Sequence, residues 1–231
     1  MRTYRALAAL LTYPTAEMID AVAEIENALV EEAVLTADQR RAVERLTREL
    51  RGGDLLDLQE RYVALFDRTP SLALHLFEHL HGDSRDRGQA MADLIELYRQ
   101  HGFEIAAAEL PNFLPLFVEF LGERSAEEAK TMLGDIAHLV ALLHQRLAKR
   151  GSAYAWVMAA LLGIACVKVD LPAEDAGEAE DSPEAIDRAW KDKEVRFGFG
   201  DTDVLKTGTT NECTKAAAML RRMETLQPGG R

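Results

Sequence analysis

A chain of 231 residues with 48% hydrophobic and 29% charged side chains carries enough apolar material for an ordinary globular core. Its 39 acidic and 27 basic residues leave a net charge of -12, which excludes a nucleic-acid binder built on bulk positive charge, and 6% aromatic residues exclude a base-stacking platform. Only Cys166 and Cys213 are present, so there is no Cys-x-x-Cys motif, disulfide framework or iron–sulfur ligand set, and such cysteine poverty suits a reducing cytoplasm. The first residues lack a long apolar run with a small-residue cleavage site. The longest uncharged run, Ser152 to Val167, has 16 residues, short of the roughly 20 that cross a membrane. A buried helix is expected there, with Cys166 inside it as a small hydrophobe.

In chain order, a first helix stops at Pro14, and Thr15 caps a second with the stripe Met18, Val22, Ile25 and Leu29. Thr36 opens a third, with Val43, Leu46 and Leu50 on its apolar face, and Gly52-Gly53 closes it. Leu55, Leu58, Tyr62 and Leu65 repeat the spacing. Thr69-Pro70 is a break before a segment from Ser71 to His81, which reads as helical and ends at Gly82. Asp83 or Ser84 caps a helix to about Gln100, with Met91, Leu94, Ile95 and Tyr98 facing inward, and His101-Gly102 stops it. Ser125 with Glu128 is a capping box, opening one long helix whose stripe runs Met132, Ile136, Leu139, Val140, Leu143 and Leu147. Gly151-Ser152 separates it from the last apolar helix. No period-2 alternation is present, so a sheet is not expected.

Beyond the apolar body the composition changes. Residues 170–194 hold 10 acidic and 3 basic side chains, a net of -7, with few large apolar groups. Such a stretch cannot offset its ordering entropy by burial. The expected organisation is an all-α, single-domain helical bundle of about nine helices in residues 1–168. An acidic, partly disordered tail follows over 169–231, with a weak terminal helix from Glu212 to Leu226.

His75-Leu76-Phe77-Glu78-His79 matches the H-x-x-E-H pattern of inverted zinc peptidases. On a helix, His75 and His79 share a face, both can reach one zinc, and Glu78 can polarise a water. No third ligand stands out downstream, and three fixed positions in five arise easily by chance. No phosphate loop and no G-x-S-x-G elbow occurs. Leu72, Leu76, Phe77 and Leu80 form one apolar stripe, flanked by Asp67, Arg68, Arg85 and Arg87. Apolar residues with a charged rim suit a groove for an amphipathic peptide. The same stripe also suits a core helix with surface ion pairs worth little.

Phe66-Asp67-Arg68, Ser71-Leu72, Leu74 to His79 and His81 to Met91 together closely resemble the signature of NarJ-type nitrate reductase assembly chaperones, of the TorD/DmsD/NarJ redox-enzyme maturation group. Leu7 to Pro14, Glu109-Leu110-Pro111 with Leu114-Pro115, and Trp190 with Val195 and Phe197 extend the likeness over most of 1–200. The resemblance implies an all-helical, non-enzymatic, cytoplasmic chaperone. Its partner is the catalytic (alpha) subunit of a respiratory nitrate reductase, bound by that subunit's N-terminal segment and held open for molybdenum cofactor and iron–sulfur insertion. Contact with molybdenum cofactor biosynthesis proteins is a further implication. No cofactor or metal is expected to stay bound to the chaperone. The client-binding candidates are Phe66, Asp67, Leu72, Leu76, Phe77, Glu78, His79, Leu80, Arg85 and Arg87. Pro111, Asn112 and Pro115 are hinge candidates, although Asn112-Phe113 replaces an acidic pair usual in the wider group.

Overall fold

The structure, a computed structural model, describes residues 1–77, 86–105 and 109–167. The boundary expected at 168, the acidic linker and the terminal helix lie outside the described residues. Ten α-helices account for most of the described chain: α1 (Arg2–Ala9), α2 (Ala16–Asp20), α3 (Val22–Glu31), α4 (Ala37–Gly52), α5 (Leu55–Tyr62), α6 (Asp86–Gln100), α7 (Leu114–Gly122), α8 (Ala126–Asp135), α9 (Ala137–Lys149) and α10 (Ala155–Ala165). A π-helical turn (Val63–Asp67) and a 3-10 turn (Pro70–Leu72) follow α5. The fold class is all-α, as the periodicity indicates.

Local chemistry sets the starts. Thr15 accepts from Met18 N–H, and Thr36–Gln39 and Ser125–Glu128 are complete capping boxes. α1 has no capping side chain of its own. The Glu32 carboxylate, just past α3, takes that place by accepting the N–H groups of Arg2 (2.9 Å) and Thr3 (2.6 Å). Burial raises the Glu32 pKa, but these bonds outweigh it and hold the carboxyl below its usual range.

Two long stripes are interrupted. Ala21 (φ -79°, ψ -4°) separates α2 from α3, and Ile136 (φ -99°, ψ 5°) separates α8 from α9. The single helix expected from Ser125 is therefore two. The break at Ile136 leaves Met132 and Leu133 on α8 and Leu139, Val140 and Leu143 on α9, all in one core.

Packing explains the uncharged run. α10 is enclosed by α4, α8 and α9, so apolar residues are needed on most of its circumference. It ends at Cys166, which is exposed in a left-handed conformation (φ 53°) and donates its S–H to Gly163 O at 3.2 Å. The expectation that this thiol is buried inside the helix is corrected: the helix stops one residue earlier. α1 packs on α3 and α7, and α3 on α4, where the buried Thr47 hydroxyl donates to Glu26.

His144, half-buried on α9, has its pKa lowered by burial. The folded chain therefore resists the proton that the unfolded chain takes up near 6.5, the ordinary histidine value. Its contribution is complete above that value and is lost as pH falls below it. His144→Gln is expected to flatten the fall in urea midpoint between about pH 7 and about pH 5. An unchanged slope would assign the acid sensitivity to other groups.

Candidate functional site

The motif-rich stretch folds differently from the helix its spacing suggests. Asp54 caps α5 by accepting from Leu56 and Asp57 N–H, and α5 runs into the π-helical turn, closed by Arg68 N–H to Val63 O at 2.9 Å. Pro70, with its fixed φ, starts the 3-10 turn, and Arg146 on α9 donates to Ser71 O at 2.8 Å. The chain then extends. Leu76 N–H donates to Asn112 O (2.9 Å) and Leu114 N–H to Leu74 O (2.8 Å), and His75 forms a β-bridge with Phe113.

This pairing overturns the helical stripe. Leu72, Leu76 and Phe77 are fully buried, and Phe66 is 5% exposed in an aromatic cluster with Tyr62 and Tyr154. The four belong to the core and do not wall an open groove. Asp67 is exposed at the end of the π-helical turn, and Arg87 is half-exposed in the first turn of α6. Glu78, His79, Leu80 and Arg85 lie outside the described residues. The zinc reading loses its premise, because His75 sits on extended backbone and not on a helix. Among the described residues no group of three His, Cys, Asp or Glu side chains is placed to hold a metal.

An open apolar surface exists nearby, in a place the periodicity did not mark. A cleft of about 570 Å³ is lined by Ile95, Tyr98, Phe103, Ile105 and Pro111, with Arg99, Glu104 and Glu109 at its rim. Its floor follows from the end of α6. Gly102 takes φ +67°, its N–H donates to Arg99 O, and Phe103 N–H reaches back to Tyr98 O. This Schellman closure sets Phe103 against Tyr98, ring centroids 5.4 Å apart. The fully buried Tyr98 donates its hydroxyl to Pro111 O at 2.9 Å, tying the cleft's far wall to its floor. Ile95, expected in the core, is 47% exposed, and Leu110 beside Pro111 is 49% exposed. Gly102→Ala places a side chain in open space but in the left-handed region. The expected cost is about 1 kcal/mol, read by urea denaturation. A neutral substitution would show that α6 ends without that conformation.

The rim is net acidic. Arg99 is held by two bonds to Glu96 (2.8 and 2.6 Å), which together with Gln100 lower the Glu96 carboxyl to about 2. Glu104 and Glu109 remain exposed. Of the hinge candidates, Pro115 lies in the first turn of α7 and Pro111 lines the cleft. Asn112 is fully buried, and neither its Oδ1 nor its Nδ2 has a hydrogen-bond partner among the described residues. Restoring an acid there by Asn112→Asp buries a carboxylate without a partner. A loss of about 1–3 kcal/mol is expected at neutral pH, shrinking on acidification as the carboxyl protonates. A stable variant at neutral pH would mean that the site recruits a cation or water.

No helix of the described residues is long and apolar enough to cross a membrane. A family model described as nitrate reductase delta subunit matches residues 32–160. The chain is 38% identical over 229 residues, 96% of its length and 95% of the relative's, to the nitrate reductase molybdenum cofactor assembly chaperone NarJ of Escherichia coli (strain K12). It is 36% identical over 155 residues, covering 65% of this chain and 67% of the relative, to a probable chaperone of the same description, NarW, from that organism. It is 31% identical over 167 residues to the probable NarJ chaperone of Bacillus subtilis (strain 168), covering 69% of this chain and 86% of the relative.

Proposed function

The chain belongs to the nitrate reductase delta subunit family, and from that premise we propose that it is a maturation chaperone, not an enzyme, for the catalytic subunit of a nitrate reductase. The observation that carries this reading is the end-to-end likeness to a molybdenum cofactor assembly chaperone. The chaperone holds the client subunit in a state open to molybdenum cofactor insertion, in the cytoplasm, and keeps no cofactor itself. The zinc hydrolase alternative is dropped.

The client contact is its N-terminal segment, presented as an amphipathic helix. The cleft between α6 and Pro111 suits it, since apolar anchors fill a groove while acidic rim groups Glu104 and Glu109 steer a basic leader. Phe66, Leu72, Leu76 and Phe77 act from beneath as the packed support of the paired segments, and Asp67 and Arg87 orient the leader. The assignment of Glu78, His79, Leu80 and Arg85 to client contact rests on the motif. Pro111, Asn112 and Pro115 form the joint between the cleft and α7.

The test is co-purification of the full chain with the reductase catalytic subunit, with and without that subunit's N-terminal segment. Capture that depends on the segment is expected. Equal capture of both forms would place the contact elsewhere, and no capture of either would end the chaperone reading.

A further inference from the structure

We propose that the cleft is regulated from within: the chain's own C-terminal segment, Glu212 to Leu226, occupies it in the free chaperone and is displaced by the client. This rests on the reading of the cleft as the client site.

Three observations converge. The cleft is open and apolar at Ile95, Phe103 and Ile105, with a rim left net negative by Glu104 and Glu109. The segment Glu212 to Leu226 has the complementary pattern. Ala216, Met219, Leu220 and Met223 recur at i, i+3, i+4 and i+7, while Lys215, Arg221 and Arg222 outweigh Glu212 and Glu224 and leave the segment a net +1. Methionines adapt to an irregular groove. The chemistry is that expected of the client leader, so one site serves both.

The tether reaches. α10 ends at Ala165, and 44 residues separate Val167 from Glu212. A random-coil chain of 44 residues has an end-to-end distance of about 35 Å, and net charge of one sign lengthens such a chain. A body of this size has a radius of gyration of about 15 Å, so no part of its surface is out of range. The tethered segment acts at an effective concentration on the order of millimolar, enough to fill a weak site. The same acidic stretch is repelled by the acidic rim and leaves the cleft to the basic segment. Covering the cleft about 80–90% of the time weakens the apparent client affinity about five- to tenfold.

The experiment uses the full chain and a full-length variant carrying Met219→Asp, Leu220→Asp and Met223→Asp, far in sequence from the core. The δ1-methyl signals of Ile95 and Ile105 are followed by NMR, and client-peptide affinity by calorimetry. The methyl signals are expected to differ between the two chains, and the variant to bind the peptide about five- to tenfold more tightly. Identical methyl positions in both chains would overturn the proposal. So would a difference that vanishes on roughly twentyfold dilution, because the segment then comes from a second copy. Methyl signals moved by the client peptide but not by the tail substitutions fail the tail docking alone. Signals moved by the tail with unchanged client affinity keep the docking and fail the reading of the cleft as the client site.

Discussion

Ile95→Asp is expected to weaken binding of the client's N-terminal segment at least about 30-fold while leaving the melting temperature within a few degrees of the parent. The stability half follows from position: Ile95 is 47% exposed, so its truncation opens no core cavity, and aspartate at that point on α6 keeps its hydration. The binding half follows from the cleft. Ile95, Phe103 and Ile105 are the apolar groups a client side chain must cover. A carboxylate among them must be desolvated on binding, and Arg99, the one cation among the described residues lining the cleft, is already engaged by Glu96. Loss of a central anchor costs about 2 kcal/mol or more, which is the 30-fold stated. Calorimetric titration with the client's first residues measures it, with a thermal melt on the same sample. Affinity within about threefold of the parent would remove the cleft from the client path and return attention to the residues around Asp67.

The parts of this fold that the sequence disclosed are those decided locally. Thr15, Thr36 and Ser125 cap where their side chains indicate, and Gly102 ends α6 because a left-handed residue is needed there. The parts it concealed are decided by distant partners. Leu72, Leu76 and Phe77 carry a helical spacing, yet their segment extends because Leu74 and Leu76 find backbone partners at Leu114 and Asn112, more than thirty residues on. Pro70 starts a turn in either case, so it could not arbitrate. The stripe Met132 to Leu147 is continuous in sequence but broken at Ile136 in space, since both halves face one core whether or not the backbone bends. Ile95 matched the buried phase of α6. Only the placing of residues 102–105 and 109–111 beside the helix end determines that Leu94 and Tyr98 are covered while Ile95 borders a cleft. The signal that could have found it was Gly102 followed by Phe103 and Ile105, then Leu110-Pro111: a helix stop with apolar residues beyond it and no helix of their own.

The support beneath the cleft is where a single truncation should cost most. Phe120 on α7 is fully buried, with ring centroids of Tyr98 at 4.8 Å, Phe103 at 5.5 Å and His101 at 5.7 Å, and the Arg124 guanidinium 4.9 Å above its own ring. Phe120→Ala removes a ring from a cluster that cannot close in, because Tyr98 is fixed through its hydroxyl to Pro111 O and Phe103 through the closure at Gly102. A loss of about 3–5 kcal/mol is expected, a large share of the roughly 5–15 kcal/mol that holds a domain folded. At this chain length that lowers the melting temperature by roughly 10 °C. Phe120→Leu, which keeps most of the volume, should lose well under half as much. Urea denaturation gives both numbers, provided the slope stays constant across the series. Client affinity should fall with stability in the alanine variant, since Phe103 and Tyr98 lose the surface they rest on. A cost below about 1.5 kcal/mol would show that the cluster relaxes into the cavity. The cleft floor would then be pliable, and its shape would be set by what occupies it and not by α7.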